Sequence, residues 1–176
     1  DTRDTKHPDN FSAYLWMSLL MEFCKRHGIK LRILEGTPGH DYGQAKTFRP
    51  LDAGFGPELD FKYIEFLSFE RMEDLGLTIL YVPDEWAGSA AVCKEQIIKM
   101  MEENDIEMFD IACMHGMFDF QIPELGEHIL KHDSEWYLSI VRAFINIGHD
   151  HKPKFHFRII IQGSFDRMAH GEEHPK

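Results

Sequence analysis

Residues 141–153 read VRAFINIGHDHKP, and the rest of the chain is read outward from them. Val141 to Gly148 is an apolar run of strand length, with Val141, Phe144, Ile145 and Ile147 supplying β-branched and aromatic side chains. The run stops at Gly148, and His149 and His151 follow with one residue between them. A buried strand needs no histidine to fold. Residues i and i+2 of an extended stretch point to the same side, so both imidazoles can reach one point beyond the strand's end. A pair of solvent-exposed turn histidines is the plain alternative.

The arrangement recurs twice upstream. The strand-like run Ile29–Leu34 leads into GTPGHD with His40, and Met108–Cys113 leads into His115. Ligands of open α/β sheets collect at the carboxyl ends of strands, so four histidines carried to strand ends can converge on one site. His115 alone is as readily a surface or hydrogen-bonded residue. Asp41 directly follows His40 and can fix its tautomer and raise its basicity, as a catalytic histidine requires. A turn with no further role is the alternative there.

Around these strand ends the chain alternates strand and helix. Pro8 to Gly28 is predicted as a helix, with Asp9 or Asn10 at its start, Phe11, Tyr14, Leu15, Leu19 and Phe23 recurring at helical spacing, and Gly28 at the C-terminal cap. Residues 61–83 hold two strand-like runs, the clearer being Leu77–Val82. Ser89 caps a predicted helix from Ala90 to about Asn104. QIPELGEHILKHD reads as a loop with a short helix, Ser134–Ser139 as another short helix, and FHFRIIIQGS as one late strand. The expected fold class is α/β with layered sheets.

Bulk properties narrow the classes. The 176 residues suffice for one domain with its own core. Nothing approaches the roughly 18 apolar residues of a membrane span, and DTRDTKHPDN is no signal peptide, so a cytoplasmic protein is expected. Cys24, Cys93 and Cys113 are odd in number and far apart, which suits reduced thiols rather than a disulfide framework or zinc ribbon. The net charge of −11 argues against a broad nucleic-acid-binding face. It is compatible with bound divalent cations, and eleven histidines are a generous supply of ligands.

In chain order the pattern is Gly-His-Asp, a lone His, then Gly-His-x-His, each at a strand end. That order resembles the calcineurin-like metallophosphoesterases, whose motifs run D-x-H, G-D-x-x-D, G-N-H-D, a single H and G-H-x-H. PGHD at Pro38–Asp41 resembles the third, His115 the fourth, and GHDH at Gly148–His151 the last. The tail GSFDRMAHGEEHPK is similar to the double-strand-break repair exonuclease-type branch, and with YVPDEW it has the look of phage-encoded members. DTRDTKHP resembles the end of a G-D-x-F-D-T motif, which would put the bridging carboxylate three residues before Asp1. A plain polar terminus reads equally well there.

The resemblance implies one metallophosphoesterase domain over residues 1–176, truncated at both ends, built as a layered sandwich of two mixed sheets flanked by helices. It implies a hydrolase acting on phosphodiesters, most specifically a DNA nuclease of the exonuclease type. Two divalent cations are implied, manganese ahead of iron or zinc, with His115 and His149 serving one and His151 the other. A metal-activated hydroxide attacks in line, and His40, oriented by Asp41, stabilises the transition state or protonates the leaving oxygen. Gly39 stands where the family has a ligating Asn, so the second cation takes another group or water, or binds weakly. DNA as substrate, a homodimer and an ATPase partner also follow from the resemblance, as does host cytoplasm for a phage protein. Two other readings stay open: a phosphodiesterase or phosphatase acting on a small or protein-borne phosphoester, and a degenerate interaction module without catalysis.

Overall fold

The computed structural model describes residues 8–37, 46, 48, 54–83, 89–121, 131–150 and 152–163. The protein is mixed α/β, and its chain divides into two compact units, Asp1–Glu65 and Phe66–Lys176.

The first unit holds helix α1 (Pro8–His27), strand β1 (Leu31–Leu34), a 3-10 turn at Gly56–Glu58 and strand β2 (Phe61–Ile64). Helix α1 begins with Pro8, ahead of the expected capping residues Asp9 and Asn10; proline at the first helical position gives up an amide that has no partner there. It ends as expected. Gly28 adopts φ +63°, and the Ile29 amide donates to the Cys24 carbonyl at 2.8 Å, the bond that closes a glycine C-cap. The apolar residues that recur at helical spacing are not its buried face. Phe11, Leu15, Leu19 and Phe23 are exposed, while Met21 and Cys24 are buried with Leu59, and Met17 packs on them. This helix is apolar nearly all round, so two i, i+4 stripes compete, and periodicity does not say which one the neighbouring strand covers. Strands β1 and β2 pair in parallel, Leu31 opposite Phe61 and Leu34 opposite Ile64.

The second unit is a six-stranded mixed sheet in the order β3-β4-β5-β8-β10-β9. Its strands are β3 (Ser68–Met72), β4 (Leu77–Val82), β5 (Phe109–His115), β8 (Val141–Gly148), β9 (Lys154–His156) and β10 (Ile159–Ile161), with β6 (Met117–Phe118) paired in parallel to β7 (Lys131–His132) beside it. Helix α2 (Ala90–Glu103) links β4 to β5, and α3 (Ser134–Ile140) precedes β8. Strands β4, β5, β8 and β10 run parallel. Right-handed crossovers that step in one direction along a sheet place their helices on one face. The core follows suit: Cys93 and Ile97 of α2 and Tyr137 of α3 pack with Leu80, Val82, Ala112, Met114, Ile145, Ile147, Ile159 and Ile161, alternate residues of the four parallel strands.

Several local expectations hold. Ser89 caps α2, its hydroxyl accepting from the Val92 amide at 3.2 Å. Leu77–Val82 and Val141–Gly148 are strands over those spans. The two runs expected in residues 61–83 are three strands, because β2 and β3 are parted at Glu65–Leu67, where the two units also divide. The late strand is also corrected: Phe157 and Arg158 form a two-residue turn between antiparallel β9 and β10. The short helix expected within QIPELGEHILKHD falls largely outside the described residues, and Lys131–His132 at its end is strand β7. All three cysteines are free thiols, Cys24 and Cys93 buried. No helix among the described residues is long and apolar enough to cross a membrane.

Asp133 caps α3 by accepting from the Trp136 amide at 3.0 Å. That bond, with Lys94 nearby, holds its carboxyl below the usual carboxylate value despite some desolvation. Asp133→Ala is expected to cost about 1 kcal/mol of stability, read as a lower urea midpoint. Because the folded carboxyl is the stronger acid, the loss is seen fully above the unfolded value of about 3.9. It fades as pH falls through the folded value.

Candidate metal centre at the strand ends

Parallel pairing of β5 with β8 sets His115 opposite Gly148, at the same carboxyl edge of the sheet. His149 is the next residue. Its ring and that of His115 have centroids 5.1 Å apart and planes at 88°. The close approach depends on Gly148: a Cβ there would lie 3.3 Å from His115 Cδ2. The chain then turns sharply, with φ +131° at Gly116 and +113° at His149. Glycine takes such angles freely, whereas a histidine there is strained.

A second layer of contacts holds the turn. The Gly116 amide donates to the Gly148 carbonyl at 3.1 Å. Asp150 accepts from the Lys152 amide at 3.0 Å, from Lys154 Nζ at 3.4 Å and from Gln121 Nε2 at 3.5 Å. Burial pushes the Asp150 carboxyl up, but these donors and the Lys154 charge outweigh it and leave the group below its usual value. Gln121 is itself fixed, its Oε1 accepting from the Phe118 amide at 2.7 Å. The turn after β6 and the loop after β8 are therefore tied together through Gln121 and Asp150.

A buried polar chain lies elsewhere in this unit. His132 Nδ1 is hydrogen-bonded to the Tyr137 hydroxyl at 3.3 Å, and that hydroxyl lies 3.7 Å from Cys93 Sγ. Burial and the Cys93 sulfur hold the Tyr137 hydroxyl neutral, far above its ordinary value. Burial likewise raises the Cys93 thiol. These groups join α2, β7 and α3.

Of the residues singled out from sequence, His115 and His149 are brought together; His40, Asp41, His151 and Gly39 lie outside the described residues. Among the described residues no cluster of three or more His, Cys, Asp or Glu side chains is arranged to hold a metal. The chemistry of the pair can still be tested for fit. With metal–nitrogen bonds of about 2.0–2.1 Å, two imidazoles on one cation have centroids roughly 4.5–5.5 Å apart, and the 5.1 Å separation falls in that interval. Sequence reasoning overlooked Asp150 and Gln121 as the clamp. Asp150 was visible as a carboxylate between two histidines, but its partner is 29 residues away.

Gly148→Ala tests the close approach directly. Removing a strand glycine gains about 0.5–1 kcal/mol, which offsets most of the crowding of about 1 kcal/mol, so stability should hardly change. The His115 ring must move by a few tenths of an ångström, and its NMR ring-proton shifts should report it. Unchanged shifts would contradict the packing described here.

No protein-family model matches this chain, and no curated protein or solved structure matches it significantly.

Proposed function

We propose that this chain is part of a metal-dependent phosphoesterase of the calcineurin-like type, acting on phosphodiesters and most specifically on DNA as an exonuclease-type nuclease, in the manner of phage-encoded members of the double-strand-break repair branch. The observation that carries the reading is the His115–His149 pair, set edge to face at the ends of adjacent parallel strands. The motif order along the sequence supports it. With it come the family's layered sandwich of two mixed sheets, a cytoplasmic setting (the host's, for a phage protein), a homodimer and an ATPase partner.

In this reading His115 and His149 would hold one divalent cation, manganese by analogy, and His151 would add a donor for a second. A cation held there would supply Lewis-acid polarisation of a phosphoryl oxygen and offset charge in the transition state. Asp150 keeps the His149 turn in place through Lys152, Lys154 and Gln121. His40, next to Asp41, would stabilise the transition state or give a proton to the leaving oxygen. Gly39 offers no donor, so the second position takes another group or water, or binds its cation weakly.

The test is manganese-dependent hydrolysis of bis(p-nitrophenyl) phosphate and of linear DNA by the chain and by His115→Ala. Loss of one ligand removes several kcal/mol of transition-state stabilisation, so turnover should fall at least about a hundredfold. Equal turnover by both proteins would overturn the reading. The net charge of −11 favours one alternative, a small or protein-borne phosphoester, and hydrolysis of the small ester without DNA degradation would select it.

A further inference from the structure

We propose that the groove between the end of α2 and α3 docks a basic amphipathic helix of another protein, with apolar side chains seated in the groove and lysines or arginines against the carboxylates on its rim. The groove has a volume of about 460 Å³, which takes large side chains rather than lone waters. Its floor is apolar: Ile98 and Met101 of α2, Ile106, and Trp136 and Ile140 of α3. Ile98 is left 39% exposed. Tryptophan is among the residue types enriched at binding anchors, and the Trp136 ring is braced by Tyr137, which meets it edge-on at 4.8 Å.

Glu102, Asp105 and Glu107 form the rim, and all three are exposed. None has an ion-pair partner among the described residues, because the neighbouring cations are engaged elsewhere. Lys99 pairs with Glu103 at 3.6 Å, Lys94 with Asp133 at 3.3 Å and Arg142 with Asp110 at 3.5 Å, and Arg71 donates to the Asn104 carbonyl. The carboxyl end of a helix carries partial negative charge and favours cations. Yet α2 has no basic residue in its last turn, and residues 102–107, EENDIE, hold four acids and no base. Folding gains nothing from that arrangement. A cation bound there gains from the carboxylates and from the helix end together.

The same features select the occupant. A second copy meeting this face about a two-fold axis would set the same carboxylates against one another, and an anionic lipid surface or nucleic acid is repelled. Among the described residues the walls belong to α2, α3 and the connection into β5, and to no strand. An extended peptide therefore has no ladder to join, whereas an amphipathic helix needs only side-chain anchors. Ile106 and Glu107 lead into β5, and Ile140 directly precedes β8. The groove thus lies at the amino edge of the parallel strands, opposite the edge that carries His115 and His149. The two are separate sites, and the inference does not rest on the phosphoesterase reading.

The experiment is fluorescence anisotropy of the full chain with two labelled probes. One is a leucine–lysine peptide with leucines at i, i+3, i+4 and i+7; the other is its scrambled isomer, equal in composition and charge. The patterned peptide should bind at least about tenfold more tightly than the scrambled one. Ile98→Ser should weaken its binding about tenfold. Val92→Ser, on the same helix outside the groove and equally exposed at 40%, should leave it unchanged. Glu102→Gln/Asp105→Asn/Glu107→Gln should weaken binding about tenfold at low salt and flatten its salt dependence; asparagine accepts the φ of +51° at position 105. Circular dichroism checks that each variant keeps its helix content. Equal binding of the two isomers, equal loss in Ile98→Ser and Val92→Ser, or unchanged binding by the triple variant would overturn the proposal.

Discussion

His149→Gly is expected to give a more stable protein than His149→Ala. At φ +113° a side chain with a Cβ is strained by about 1–3 kcal/mol. Glycine relieves that strain and gives back about 0.5–1 kcal/mol through the greater freedom of its unfolded chain. Both variants lack the imidazole and its edge contact with His115, so that loss cancels between them. The net difference should be about 1 kcal/mol in favour of glycine, measured as urea midpoints in metal-free buffer. Natural glycine at this position would thus fold better, and the presence of histidine points to a task beyond folding. If the alanine variant is the more stable, the turn is not strained and that argument goes.

Ile145→Ala is expected to have the largest effect on folding, about 2–5 kcal/mol. Ile145 is fully buried at the middle of β8, flanked by Ala112 on β5 and Ile159 on β10. With small Ala112 on one side, the neighbours cannot close the space left by the removed carbons, and the cavity remains. A loss of that size is comparable with the whole stability of a domain, so recovery of the variant is expected only at low temperature. Ile145→Val, which removes one carbon, should cost about 0.5–1.5 kcal/mol and keeps the test readable by denaturation. A loss below 0.5 kcal/mol for alanine would mean that the sheet can collapse around the site.

What was legible in the sequence had a strong local cause. Gly148 ends β8, Ser89 caps α2 and Gly28 closes α1, each by a backbone rule that acts within a few residues. What was not legible depended on distant neighbours or broke the local rules. The turn at Phe157–Arg158 carries none of the usual Gly, Asn or Asp signals, so two strands read as one. The buried side of α1 is chosen by Leu59, far along the chain. At the site, the motif order pointed to His115 and His149, and parallel pairing brings those two together. The Gln121–Asp150 tie spans two loops and leaves no periodic trace. His40, Asp41 and His151 lie outside the described residues, so their roles rest on the motif alone.

The most direct test of the central claim is a manganese titration of the chain, followed by loss of the free-ion electron paramagnetic resonance signal, beside the His115→Ala/His149→Ala double variant. Saturable binding in the parent chain, lost in the variant while its helix and strand content stays the same by circular dichroism, is the predicted result. Equal binding by both proteins, or none by either, would contradict the assignment of these two histidines as metal ligands.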